Sequence, residues 1–246
     1  MELKHVIAEK PGRTVYRVDD KCVKVFDKWR SMGSIYREAL NHASVEETGL
    51  NVPKLLEVTT VDGSWAIITE FVKGKTLAEL IEENPQNKND YLAILVDVQM
   101  EIHTKSSRQL PRMKDELHDD IRATQFNATT RYDLHNKIDA MPRSATVCHG
   151  DLNLTNVIVT EDGTAYVTGW AHTTRGDALA DVAKTYLSFW LRGDITGAER
   201  YLELYCDRTG TDKAHIDDRK SVIAAALTSK CSENEREFLL SLVNKN

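Results

Sequence analysis

The four cysteines of this 246-residue chain, Cys22, Cys148, Cys206 and Cys231, have neither metal-ligand spacing nor the density of a disulfide framework. Reduced thiols in a cytoplasm are therefore expected. A basic excess is also missing. With a net charge of −6 the chain has no surplus cation to set against phosphates, which excludes a general nucleic-acid binder and suits cationic or neutral small substrates. No apolar run approaches membrane-spanning length and Met1-Glu2-Leu3-Lys4 lacks a signal-peptide core, so a soluble protein with no membrane association is expected. Internal repeats, low-complexity tracts and long linkers are absent too. What remains is an ordinary globular composition, 41% hydrophobic, long enough to bury a substantial core as one domain or a bilobed pair.

The most informative stretch is Val147-Cys148-His149-Gly150-Asp151-Leu152-Asn153-Leu154-Thr155-Asn156 and the apolar runs after it. Val157-Ile158-Val159-Thr160 and Ala165-Tyr166-Val167-Thr168 flank Asp162-Gly163, a strong hairpin signal. In an antiparallel hairpin the start of one strand lies beside the end of the other, so Asn156 and residue 169 are expected to be neighbours. Asp151, five residues before Asn156, shares that end. A carboxylate and an amide oxygen so placed suit phosphoryl transfer: Asp151 can accept a substrate hydroxyl proton and Asn156 can hold Mg²⁺. A second hard oxygen ligand is expected at position 169, which is glycine. Cys148 beside the motif reads as a buried strand-end thiol rather than a nucleophile.

His149-Gly150-Asp151 with Asn156 resembles the catalytic loop of the aminoglycoside phosphotransferase and choline kinase family, small-molecule relatives of protein kinases. Gly176-Asp177 and Asp181-Val182-Ala183 downstream extend the resemblance. The metal-binding segment of that family usually reads Asp-Trp or Asp-Phe; here it reads Gly169-Trp170. The resemblance implies an α+β, protein-kinase-like bilobal fold, with a small antiparallel-sheet lobe over residues 1–72 and a mainly helical lobe over 73–246. ATP and Mg²⁺ are the implied cofactors, and a small-molecule hydroxyl the implied acceptor. His149 would brace the loop.

Along the chain, Thr14 to Val18 and Cys22 to Phe26 read as a hairpin behind Pro11-Gly12-Arg13. Alternation puts Cys22, Lys24 and Phe26 on one face and Val23 and Val25 on the other. Alone, Lys24 reads as a solvated edge charge; with the downstream motif it resembles the kinase strand lysine that meets the α- and β-phosphates. Glu38, in a helical segment from Ser34 to Glu47, falls where the family places the partner of that lysine. Leu55 to Val61 and Trp65 to Phe71 form a second hairpin around Asp62-Gly63, leading into a segment that resembles the kinase hinge. There the Glu70 carbonyl and the Val72 N–H are the expected adenine contacts. Gly12 alone stands where protein kinases carry several glycines, a candidate phosphate contact and equally a plain turn.

The helical part starts at Leu77, and Tyr91 to His103 places Leu92, Leu95, Val96, Met100 and Ile102 mostly on one face. His103 reads as a capping or core histidine. Asp115, Glu116, Asp119 and Asp120 read as a solvated helix face. Leu179, Val182, Ala183, Tyr186, Leu187 and Trp190 follow helical spacing, Asp181 reads as an anchor for the loop, and Ser232-Glu233-Asn234-Glu235 as a capping box. Together these imply an ATP-dependent phosphotransferase impaired at Gly169, with Asp162 and Asp177 poorly placed to replace the lost ligand. Gly169 also supports a nucleotide-binding pseudoenzyme that senses a ligand or holds a partner. It could equally be an inactivating change, one base from aspartate, in an active parent.

Overall fold

The computed structural model describes residue 3 and residues 5–243. Met1, Glu2 and Lys4, on which the signal-peptide expectation partly rests, lie outside the described residues. The chain runs β1 (His5–Lys10), β2 (Arg13–Val18), β3 (Lys21–Phe26), α1 (Met32–Glu46), β4 (Leu55–Val61), β5 (Ser64–Glu70), β6 (Gly74–Thr76), α2 (Leu77–Glu83), α3 (Lys88–Thr104). It continues through α4 (Met113–Arg122), α5 (Ala128–Ala140), β7 (Val147–Cys148), β8 (Val157–Thr160), β9 (Ala165–Val167), β10 (Thr174–Arg175), α6 (Ala178–Leu191), α7 (Ile195–Thr209), α8 (Lys213–Leu227) and α9 (Glu233–Val243). By internal contacts it divides into two compact units, residues 1–80 with 154–172, and residues 81–153 with 173–246. Among the described residues no helix is long and apolar enough to cross a membrane.

The first unit is built on an antiparallel sheet ordered β1-β2-β3-β5-β4. β1 has a bulge between Val6 and Ala8, and its sequence carries little strand signal. Its burial pattern is almost wholly exposed, so the apolar alternation that marks a half-buried strand is weak there. Register assigns the faces. Val15 pairs with Lys24, Arg17 with Cys22, Lys24 with Ile67, and Cys22 with Thr69, so all of these share one side. On the other side Val23, Ala66 and Ile68 bury against Val61, with Tyr16, Val18 and Val25 packed on them. The alternation expected for β3 is therefore what the sheet uses. Phe26 and Ile67, on the Lys24 side, pack against Ile35 and Ala39 of α1, which brings Glu38 over that face.

Asp62 (φ 50°) and Gly63 (φ 75°) make the two-residue β4–β5 turn, both with the positive φ that a type I′ turn requires. A smaller sheet, β6-β8-β9, carries the second expected hairpin, with Val157 opposite Val167 and Ile158 opposite Tyr166. Its turn is longer: Gly163 is in the left-handed region and its N–H reaches the Thr160 carbonyl at 2.9 Å.

The second unit is mainly helical. Leu92, Leu95, Val96 and Ile102 of α3, Val182, Ala183 and Leu187 of α6, and Ala198, Tyr201 and Leu202 of α7 are buried. The short β7–β10 pair fixes Cys148 opposite Thr174 at the start of the motif loop. The acidic α4 buries only Met113, Leu117 and Ile121, and Asp115, Glu116 and Asp119 are exposed. Glu235 accepts both the N–H and the hydroxyl of Ser232 at 2.8 and 2.7 Å, the capping interaction read from the sequence.

Candidate active site

The side of the sheet that carries Lys24 lines a pocket of about 300 Å³, walled also by Arg13, Glu38, Glu70, Val72, Asn156 and Gly169. Lys24 Nζ donates to Glu38 Oε1 at 2.6 Å. Glu38 is 4% exposed, so burial alone pushes its carboxyl up. The charge and hydrogen bond of Lys24, with the more distant charges of Arg13 and Arg30, outweigh that and hold it below the usual range. An ammonium fixed in this way keeps its aim. Among the described residues the other carboxylate oxygen, Glu38 Oε2, is buried without a hydrogen-bond partner.

Asn156 and position 169 are neighbours, as the hairpin required. Thr168 N–H donates to the Asn156 carbonyl at 2.8 Å. A Cβ at Gly169 would lie 2.9 Å from Asn156 Nδ2 and 3.1 Å from its Oδ1, and Gly169 has φ +89°. Glycine takes that conformation without strain, whereas an L-residue would be strained and would displace the Asn156 amide. Asp162 is at the opposite, turn end of the hairpin, where it accepts from Thr160 Oγ1 at 2.5 Å and from Thr164 N–H at 3.0 Å. Lys10 and Arg13 on either side of the β1–β2 turn belong to the pocket wall, whereas Gly12 between them packs against the Trp29 indole.

In the second unit the loop from His149 to Asn153 is held from beneath by Asp181, which is 1% exposed. Its carboxylate accepts the N–H groups of His149 at 3.1 Å and Gly150 at 2.8 Å. It also accepts Gln99 Nε2 at 3.2 Å and His103 Nε2 at 3.0 Å. Burial pushes this carboxyl up; the hydrogen bond and charge of His103 and the Gly150 N–H more than offset it and bring it down to about 2. His149 is fully buried, and its Nδ1 accepts the Asp151 N–H at 3.1 Å, which puts the ring proton on Nε2. Asn153 Nδ2 donates to the Asp151 carbonyl at 2.9 Å and to its Oδ1 at 3.3 Å. The loop thus fixes both the backbone and the carboxylate of Asp151. Cys148 is buried, which pushes its thiol well above the usual value, so it is no nucleophile. Asp177 caps α6 and pairs with Arg219 at 3.0 Å.

Sequence reading did not single out Asn153 or Gln99, and it gave His103 no link to the loop. A usable signal existed for two of them. Gln99 and His103 are four apart on α3, and Gln99 interrupts the apolar face of Leu92, Leu95, Val96 and Ile102, a polar side chain where the core should continue. Tyr201 hydroxyl donates to Gln99 Oε1 and completes its pairing.

Residues 11–216 match the phosphotransferase enzyme family (APH), and the chain belongs to that family. No curated protein matches the sequence. Among solved structures it is similar to a choline/ethanolamine kinase family protein from Mesorhizobium loti, at 14% identity and a TM-score of 0.67, covering 100% of this chain and 89% of that one. It is also similar to choline kinase LicA from Streptococcus pneumoniae, at 13% identity and a TM-score of 0.65, covering 100% and 94%. A thermostable mutant of aminoglycoside phosphotransferase APH(4)-Ia in a ternary complex with ADP and hygromycin B aligns at 14% identity and a TM-score of 0.70, covering 98% and 91%. These likenesses establish the protein-kinase-like α+β fold.

A kinase-like site implies Mg²⁺, and the residues of this pocket do not fit it, Asn156 being left as the lone oxygen donor of the expected pair. Position 169 offers no side-chain oxygen, and Glu38 already holds the Lys24 ammonium at 2.6 Å, a charge that opposes a second cation on the same carboxylate. Among the described residues the one group of three His, Cys, Asp or Glu side chains close enough to share an ion is His103, Cys148 and Asp181. That is a buried nitrogen, sulfur and oxygen set with its carboxylate already bonded, unlike the oxygen cage of a hard cation.

Proposed function

We propose that the chain is an ATP-binding phosphotransferase whose acceptor is a small-molecule hydroxyl and whose transfer step is slowed by Gly169. The observation that carries this reading is the Lys24–Glu38 pair at 2.6 Å in the wall of a pocket that also holds Asn156. In this reading Glu70 and Val72 offer backbone groups to the base, and Lys24 sits on the phosphates. Asp151, with its carboxylate steadied by Asn153, takes the acceptor proton as the acceptor oxygen bonds to the γ-phosphorus and ADP leaves. Electrostatic stabilisation of the transferring group is ordinarily a large share of such catalysis, so the missing ligand slows the step.

A second reading, a nucleotide-binding pseudoenzyme with a sensing or partner-holding role, has its own support in Gly169. Its φ of +89° and the approach of the Asn156 amide describe a site settled without a carboxylate there. The two are separated by ADP formation from ATP over a panel of amino alcohols, sugars and aminoglycosides, with the chain and Gly169→Asp side by side. Slow acceptor-dependent turnover in the chain, lost in Asp151→Asn, supports the phosphotransferase. No turnover in either protein, with nucleotide binding intact, supports the pseudoenzyme.

A further inference from the structure

The wall of the nucleotide pocket is graded in charge along the strands. Glu70 is opposite Lys21 and Ile67 opposite Lys24, which puts Glu70 three positions, about 10 Å, to one side of Lys24. Arg13 pairs with Phe26, two positions or about 7 Å to the other side, and Lys10 pairs with Arg13. The first of these ends is the segment of Glu70 to Val72, where Glu70, opposite Lys21, turns its side chain to the other face of the sheet from Lys24. Glu79, also at the wall, is bonded to Thr76 through its N–H at 2.7 Å and its hydroxyl at 2.8 Å.

The basic end gathers more than the strand residues. A Cβ at Gly12 would meet Trp29 at 3.0 Å and Arg30 Cδ at 3.6 Å, so Arg30 lies against the same turn. The fields of both Arg13 and Arg30 reach the Glu38 carboxyl. Asp27 next to the turn is held by the Trp29 indole N–H at 3.1 Å. An end where the wall residues Phe71 and Val72 carry no charge and a cationic end at Lys10 and Arg13 match a nucleoside polyphosphate laid along the strands. Guanidinium groups meet phosphate oxygens in pairs and need no metal to do so.

We propose that this pocket binds nucleoside polyphosphates without a divalent cation, Arg13 and Lys10 with Arg30 behind them supplying the neutralising charge where Gly169 leaves no metal ligand. The inference rests on the nucleotide-binding reading above and replaces the metal part of it. Such a site holds ATP and ADP in preference to adenosine, whether or not magnesium is present.

The test is calorimetric titration of the full chain with ATP and with adenosine, in EDTA and in millimolar MgCl₂. The expected result is an ATP dissociation constant that differs by less than about threefold between EDTA and Mg²⁺. Arg13→Gln should weaken ATP at least tenfold in EDTA and leave adenosine unchanged. Because Arg13 starts β2, its variants are first checked for an unaltered melting midpoint, and Arg13→Lys should retain part of the ATP affinity. An ATP affinity at least tenfold weaker in EDTA than in Mg²⁺, or unmoved by Arg13→Gln, overturns the proposal while nucleotide binding itself stands. If neither ATP nor adenosine binds in either buffer, the nucleotide-binding reading fails and takes this inference with it.

Discussion

Placing a methyl group at position 169 separates backbone strain from metal chemistry. Gly169→Ala forces an L-residue to φ +89° and puts its Cβ 2.9 Å from Asn156 Nδ2. The contact is with the end of a side chain, which can swing away, so most of the cost is the backbone. A left-handed L-residue costs about 1–2 kcal/mol, and in a chain of this size each kcal/mol lowers the melting midpoint by about 2–4 °C. Gly169→Ala should therefore melt about 2–8 °C below the chain when followed by circular dichroism or calorimetry. Gly169→Asp should lose less, since aspartate tolerates this region better, but its midpoint should rise with Mg²⁺-ATP more than with ATP in EDTA. Equal midpoints for the chain, Gly169→Ala and Gly169→Asp without ligand would refute the strain argument, because the glycine would then carry no conformational advantage.

The fall of the Asp181 carboxyl from its usual 3.8 to about 2 is worth roughly 2 kcal/mol of stability at neutral pH. Asp181→Asn should therefore lower the urea midpoint at pH 7 and expose the loop amides of His149 and Gly150 to hydrogen exchange. Both Asp181 and Glu38 have depressed folded values, so their stabilisation is present above the unfolded values of 3.8 and 4.5 and is lost as pH falls through the folded ones. Stability measured against pH should decline below about pH 4.5 and keep declining towards pH 2; Asp181→Asn should flatten the lower part of that slope. Asn153→Ala frees the Asp151 carboxylate from its amide donor and should reduce any acceptor-dependent turnover while leaving ATP affinity unchanged, as steady-state and calorimetric measurements would show together.

Both hairpins were legible because their turns carry local chemistry: Asp62-Gly63 and Asp162-Gly163 each place a glycine at positive φ between β-branched runs. The alternation of β3 likewise separated Cys22, Lys24 and Phe26 from Val23 and Val25, as the register has them. The loop motif was legible as a string, since His149, Gly150, Asp151 and Asn156 bear its chemistry within eight positions. The anchoring of that loop was only half visible. Asp181 could be assigned to it, but Gln99 and His103 approach from 82 and 78 positions away in sequence, and no local spacing encodes that pairing. β1 escaped because its strand is exposed on nearly every residue, and with it went the grouping of Lys10, Arg13 and Arg30, which exists only once register aligns β1 with β2. The conformation of Gly169 was also beyond the sequence, which shows a missing carboxylate but not the Asn156 amide drawn up beside it.

If the Lys24 side of the sheet is a nucleotide site, the shift of the melting midpoint with ATP differs between the chain and Lys24→Met. At a ligand concentration a hundred times the dissociation constant, binding adds about 2.7 kcal/mol to the folded state. The account predicts a rise of several degrees for the chain and little or none for Lys24→Met. No rise with ATP, ADP or GTP, or a rise that Lys24→Met retains in full, would contradict it.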